Sequence, residues 1–306
     1  MQQSSLRQRL SGVFTALVTP MQDGALDLSA FERHVAAQLD AGIHGLVPVG
    51  TTGEAATLSR AEIAQLIGST VALAGGNAFV MAGVGSNSTT TTIDNARHAA
   101  DLGVDGLLVV TPYYNKPSQN GLFDHFAAVA AAVDLPITLY SVPGRTGVEL
   151  AAPTAARLAA ACPNIVSIKE AGGRCERVSE LRLACGADFV VHSGDDALTL
   201  PFLALGAAGV ISVASNLLPR EMVRLYDAWQ AGDCALALRL HEGIYDLLRH
   251  LFIESNPVPV KAALAAAGLM SAEVRAPLGA LTTDSQAALR QSLTRFEEWR
   301  GVSEQP

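Results

Sequence analysis

Lysine is nearly missing from this 306-residue chain: of 21 basic residues only Lys116, Lys169 and Lys261 are lysines, the rest being arginine. Chemistry that needs a side-chain amine therefore has three places to occur. Basic clusters are missing too, and a net charge of -8 excludes the electrostatic footprint of a nucleic-acid binder, leaving acidity as a solubility feature. Cysteine is sparse. Cys162, Cys175, Cys185 and Cys234 show no CxxC pairing and fall in helical or helix-flanking stretches, which reads as reduced thiols in a cytosolic protein. Residues 1–10 are polar, with two arginines and no long apolar run, so neither a signal peptide nor a membrane anchor is expected there. Short internal repeats, coiled-coil heptads and low-complexity tracts are lacking as well.

What the sequence does contain is an alternation of short apolar runs with Ala-rich amphipathic stretches, at 49% hydrophobic content. Strands are predicted over 13–18, 45–49, 78–83, 106–110, 137–140, 165–168, 189–192 and 209–212. Helices are predicted over 28–41, 60–74, 90–102, 120–133, 153–161, 174–185 and 197–205, with Asp27 and Ser59 as N-caps. Eight βα-type runs, several of them apolar throughout as strands buried on both faces are, favour a closed parallel barrel over an open sheet. The expected class is thus α/β, a (β/α)8 TIM barrel. After Asn216 the strand signal stops, and 219–298 reads as helix broken at Gly232, Asn256-Pro257 and Pro277. A boundary near Arg224 is expected, dividing a barrel domain, 1–224, from a small C-terminal helical domain, 225–306.

One strand organises the chemistry. Ile165-Val166-Ser167-Ile168-Lys169-Glu170-Ala171 is an apolar approach that delivers one amine at its end. Lys116 sits in a polar loop and Lys261 in an Ala-rich helical stretch, so Lys169 alone combines both features. Desolvation disfavours the ammonium, lowers its pKa and frees a neutral amine to attack a carbonyl, which makes Lys169 the candidate Schiff-base lysine. The alternative is a strand-end lysine that snorkels to solvent.

Active sites of such barrels lie at the C-terminal ends of the strands. There the sequence places Gly50-Thr51-Thr52-Gly53-Glu54, Thr111-Pro112-Tyr113-Tyr114-Asn115-Lys116-Pro117, Tyr140, Val142-Pro143-Gly144-Arg145-Thr146-Gly147, Lys169, Ser193-Gly194-Asp195-Asp196 and Gly209-Val210-Ile211-Ser212. The glycine loop allows close backbone approach, and its N–H groups could hold a carboxylate. Tyr140 could pass protons to and from a carbinolamine, with Thr51 fixing its phenol, and Arg145 offers a planar fork for a second carboxylate. Taken singly, Tyr140 could equally be a core phenol and Arg145 a surface ion-pair partner.

Together these motifs resemble the dihydrodipicolinate synthase and N-acetylneuraminate lyase superfamily of class I aldolases, from Gly12 to about Leu293. The double threonine of the glycine loop, the Pro-Tyr-Tyr-Asn-Lys-Pro run, Pro143-Gly144-Arg145-Thr146-Gly147 and Asn256-Pro257-Val258-Pro259-Val260-Lys261 are most similar to its dihydrodipicolinate synthase branch. The resemblance implies a lyase that condenses pyruvate with L-aspartate 4-semialdehyde to 4-hydroxy-tetrahydrodipicolinate, in lysine and diaminopimelate biosynthesis. It implies an imine between pyruvate and Lys169, a proton relay of Thr51, Tyr140 and Tyr114, and no separate cofactor. Thr51 and Thr52 would receive the pyruvate carboxylate, Arg145 that of the aldehyde, and the Ile211 carbonyl would line the site. It further implies a cytoplasmic homotetramer, a dimer of dimers in which Tyr114 reaches into the neighbouring subunit.

Departures from the pattern bear on regulation. Members inhibited by lysine bind it through an asparagine, a tyrosine, a glutamate and a histidine; Asn87 and Tyr113 match, but Thr91 replaces the glutamate, Ile63 the histidine, and Arg60 stands at another position often occupied by histidine. Lysine inhibition is therefore expected to be weak or absent. Ser141, where asparagine is frequent, is expected to matter little. The rival readings are another pyruvate-type aldolase or dehydratase acting on sialic acid, a 2-keto-3-deoxy sugar acid or 4-hydroxy-2-oxoglutarate, and a catalytically silent metabolite-binding barrel. Gly83-Val84-Gly85-Ser86-Asn87-Ser88 begins like a dinucleotide fingerprint but lacks the third glycine, and reads as the exit loop of the third strand. None of the 7 histidines falls at ligand spacing with Asp195-Asp196, so that pair reads as a helix start and no metal is expected.

Overall fold

Runs of apolar residues too short for helices, each entered or left through small residues, form eight parallel strands in the computed structural model, which describes residues 2–303. They are β1 (Gly12–Ala16), β2 (Gly45–Val47), β3 (Phe79–Gly83), β4 (Gly106–Val110), β5 (Ile137–Ser141), β6 (Ile165–Glu170), β7 (Val190–Ser193) and β8 (Gly209–Ser212). Each pairs with its sequence neighbours, and β8 returns to β1, closing the barrel. All eight predicted strands are found, with ends shifted by up to two residues.

Helices α1 (Leu28–Asp40), α2 (Arg60–Ala74), α3 (Thr89–Asp101), α4 (Gln119–Ala130), α5 (Ala152–Ala161), α6 (Glu176–Cys185), α7 (Thr199–Ala204) and α8 (Pro219–Gln230) surround the barrel. The caps at Asp27 and Ser59 form as expected: Asp27 accepts from the Ala30 N–H, and Ser59 completes a capping box with Glu62. Between strands and helices lies one large apolar layer that includes Val13, Leu46, Val80, Leu139 and Ile168. A second cluster fills the barrel interior, with Phe14, Val47, Phe79, Met81, Leu108, Tyr140 and Ile211, and Leu10 beneath them.

The C-terminal helices are α9 (Cys234–His250), α10 (Val258–Ala266) and α11 (Thr283–Ser303). Arg224 lies inside α8, which packs on β1 and completes the helical ring, so the change of architecture comes at the turn around Gly232 rather than at 224. A small hairpin, Met21–Gln22 with Ala25–Leu26, was not predicted. Its signal is Asp23-Gly24, the two left-handed residues that a tight hairpin turn requires. Among the described residues no helix is long and apolar enough to cross a membrane, and all four cysteines are free.

Candidate active site

Strand alternation and register bring the central pair together. Tyr140 on β5 and Lys169 on β6 are direct cross-strand partners, and both side chains are buried. An irregularity leaves Val166 unpaired between the Ile137–Ile165 and Thr138–Ser167 pairs, which sets this register. Below them the Thr138 and Ser167 hydroxyls share a 2.5 Å hydrogen bond. Lys169 Nζ stands 4.5 Å from the centre of the Tyr140 ring, and the residue as a whole is only 5% exposed. Snorkelling to solvent is thereby ruled out.

Burial pushes the Lys169 amine down to about 8; the Asp196 charge opposes this and the Arg145 charge adds to it. A substantial fraction is therefore neutral near pH 8. Burial raises the Tyr140 phenol, partly countered by Arg145 and by a hydrogen bond with Thr51. Thr51 and Arg145 both stand close enough to act on the phenol, and Arg145 acts on the amine as well. Arg145 is exposed, on the helical turn Pro143–Thr146, and its guanidinium donates to the Asn256 carbonyl at 3.2 Å.

The glycine loop after β2 is tightly wound. Gly53 and Glu54 N–H groups close onto the Gly50 and Thr51 carbonyls, whereas the Thr51 and Thr52 N–H groups meet no acceptor among the described residues. Those two donors are free to bind a carboxylate. Val49 and Glu54, at either end of the loop, have φ of +51° and +56°. Gly83 must be glycine because a Cβ there would sit 2.5 Å from the Val49 carbonyl oxygen, and this residue begins the exit loop expected in place of a nucleotide fingerprint. Gly194 plays a similar part over the amine: a Cβ would come within 2.6 Å of the Ala171 Cβ and 3.1 Å of Lys169 Cε.

Ile211 is wholly buried on β8, inside the barrel. Tyr114 stands apart from the others: its side chain is 89% exposed, on a backbone at φ +74°, so within one chain it does not join Tyr140 and Thr51. The residues expected to line a lysine site cluster on the neighbouring loops. Asn115 Nδ2 donates to the Asn87 carbonyl, Tyr113 is exposed, and Thr91 lies in the first turn of α3.

Sequence reasoning missed two residues. Asp195 caps a helical turn as expected, but Asp196 is buried, accepting from the Ser212 hydroxyl at 2.5 Å and the Val213 and Ala214 N–H groups at 3.0 Å. It thereby pins the end of β8 and sets a negative charge that acts on Lys169. The motif Ser-Gly-Asp-Asp at a strand exit was the available signal. Lys261 is the second omission: it too is buried, paired with Glu54 at 2.6 Å. Among the described residues no group of three His, Cys, Asp or Glu side chains is arranged to hold a metal ion.

Comparisons with known proteins show the family. The profile of the Dihydrodipicolinate synthetase family matches residues 9–296. A 4-hydroxy-tetrahydrodipicolinate synthase of Pelobacter propionicus is 50% identical over 278 residues, covering 91% of this chain and 96% of its own. Among solved structures, the 4-hydroxy-tetrahydrodipicolinate synthase of the methanotroph Methylacidiphilum fumariolicum aligns with a TM-score of 0.95 at 47% identity, over 96% of this chain and 98% of that one. A monomeric dihydrodipicolinate synthase variant aligns at 0.93 with 40% identity, over 95% and 98%. From Arg9 to Phe296, then, the chain belongs to the dihydrodipicolinate synthetase family.

Proposed function

We propose that the chain is a lyase that joins pyruvate to L-aspartate 4-semialdehyde through an imine on Lys169, forming 4-hydroxy-tetrahydrodipicolinate for lysine and diaminopimelate biosynthesis. The observation that carries this reading is the juxtaposition of a buried amine, lowered to about 8, with a buried phenol on the neighbouring strand whose ring centre lies 4.5 Å from it. The neutral amine attacks the pyruvate ketone, and Tyr140 supplies the proton that lets water leave the carbinolamine. Loss of a methyl proton gives an enamine, which adds through carbon to the aldehyde. The amino group of the aldehyde substrate then displaces Lys169 from the imine carbon, closing the ring and restoring the free amine. The protein amine serves as electron sink throughout, so the sequence of steps calls for no separate cofactor.

Thr51 and Thr52 receive the pyruvate carboxylate on their free N–H groups, the Ile211 carbonyl borders the pyruvate, and Arg145 receives the carboxylate of the aldehyde. Tyr114 completes the proton relay from a second subunit, within a homotetramer that works in the cytoplasm. Support for that assembly is the near-complete exposure of Tyr114, whose phenol stands apart from Tyr140 and Thr51 within its own chain. The test is turnover of pyruvate with L-aspartate 4-semialdehyde, set beside turnover with sialic acid, 2-keto-3-deoxy sugar acids and 4-hydroxy-2-oxoglutarate. Activity confined to the semialdehyde supports the assignment; preference for a sugar acid moves the chain to another branch of the same chemistry.

A further inference from the structure

The glycine loop of the mouth is held from a distant part of the chain. Asn256 Nδ2, just before α10, donates to the Thr52 hydroxyl at 2.9 Å. Lys261 Nζ, on α10, donates to Glu54 Oε1 at 2.6 Å and to the Thr19 carbonyl at 2.8 Å. The N–H of Arg275 donates to Glu54 Oε2 at 2.8 Å, and its guanidinium reaches Glu62, Thr57 and Gly24. Both carboxylate oxygens of Glu54 are thus taken by the C-terminal region, while its backbone N–H closes the loop on the Thr51 carbonyl at 3.0 Å.

The backbone explains why such a hold is needed. Val49 and Glu54 both occupy the left-handed region, which is costly for any residue with a Cβ and most so for a β-branched one. Residues of this kind persist only where their surroundings over-determine them. A buried ion pair is itself a weak source of stability relative to apolar side chains of the same volume, so stability alone does not account for Lys261 and Glu54 in this place. Holding a strained loop does.

We infer that Glu54 is a positioning residue for the keto-acid subsite, and that Lys261 serves to hold Glu54 so that the Thr51 and Thr52 N–H groups point at the substrate carboxylate. This rests on the reading that pyruvate binds there. The C-terminal helices are then part of the active site without touching substrate.

The experiment compares the wild type with the double variant Glu54→Gln/Lys261→Met, which removes both charges and leaves neither buried alone. Pyruvate is titrated, the adduct on Lys169 is trapped with borohydride, and thermal melting and the KM for the aldehyde are measured alongside. The expected result is a folded double variant whose half-saturating pyruvate concentration rises about tenfold, a difference of about 1.4 kcal/mol, with the aldehyde KM within about twofold of wild type. A folded double variant with unchanged pyruvate saturation overturns the inference, and so does one in which both substrates suffer equally. Glu54→Gln alone, which keeps one side-chain acceptor but removes the charge that holds Lys261, covers the case of a double variant that does not fold: a pyruvate shift of about threefold supports the inference, and wild-type saturation overturns it. Absence of any adduct in the wild type sinks the functional reading itself, a result distinct from a failure of the clamp alone.

Discussion

Two lysines are buried in this protein, in opposite settings. Burial lowers the pKa of both, yet Lys261 meets a carboxylate at 2.6 Å and a backbone carbonyl at 2.8 Å, while Lys169 meets the face of a phenol and forms no ion pair among the described residues. Desolvation alone therefore does not make a nucleophile. What decides is whether the ammonium has been given a partner: the pair around Lys261 stabilises the charged form, and the setting of Lys169 leaves the amine able to lose its proton near neutrality.

The sharpest way to break this contrast is to remove each amine in turn. Lys169→Met should abolish turnover and borohydride labelling while leaving the melting temperature unchanged or higher, because a desolvated amine with no carboxylate in ion-pair contact is replaced by an apolar chain. Lys261→Met should do the reverse, costing about 3 kcal/mol or more in denaturant unfolding by stranding the Glu54 carboxylate, with the adduct on Lys169 still formed by folded molecules. Next in size, Tyr140→Phe should lower kcat by about 10²-fold, the loss expected of the proton-transfer role proposed for the phenol.

A pH series sharpens the comparison further. Imine formation needs the neutral amine, so its rate at fixed pyruvate should rise with pH, tenfold per unit well below 8, and level off above about 8. The Arg145 charge contributes to lowering Lys169, so Arg145→Ala should move this midpoint upward, besides raising the KM of the aldehyde about tenfold. Smallest of all is the expected response to free L-lysine. With Thr91 in place of the glutamate that would pair with the ligand ammonium, and with Arg60 adding like charge, millimolar lysine should leave the initial rate unchanged in a steady-state assay.

The eight strands were legible because parallel strands buried on both faces spell out nearly continuous apolar runs, and Lys169 was legible because it interrupts one. Arg145, Thr51 and Tyr140 followed from the rule that chemistry gathers at strand ends. Lys261 escaped because its significance is not local: Ala-rich helical surroundings look alike whether or not a carboxylate 207 residues away meets the amine. Asp196 escaped for a related reason. An aspartate at a helix start reads as a cap, and only the folded barrel turns it toward the Ser212 hydroxyl and within electrostatic reach of the Lys169 amine. Arg224 falls inside α8, a helix that packs on β1 although no strand follows it, so the loss of strand signal precedes the last helix of the ring.

The most direct measurement is peptide mass analysis after borohydride reduction in the presence of pyruvate. A single pyruvyl mass on the peptide containing Lys169, with the Lys261 peptide unmodified, is the expected result. An adduct on Lys261, or none on either lysine, would contradict the assignment of the nucleophile by partner rather than by burial.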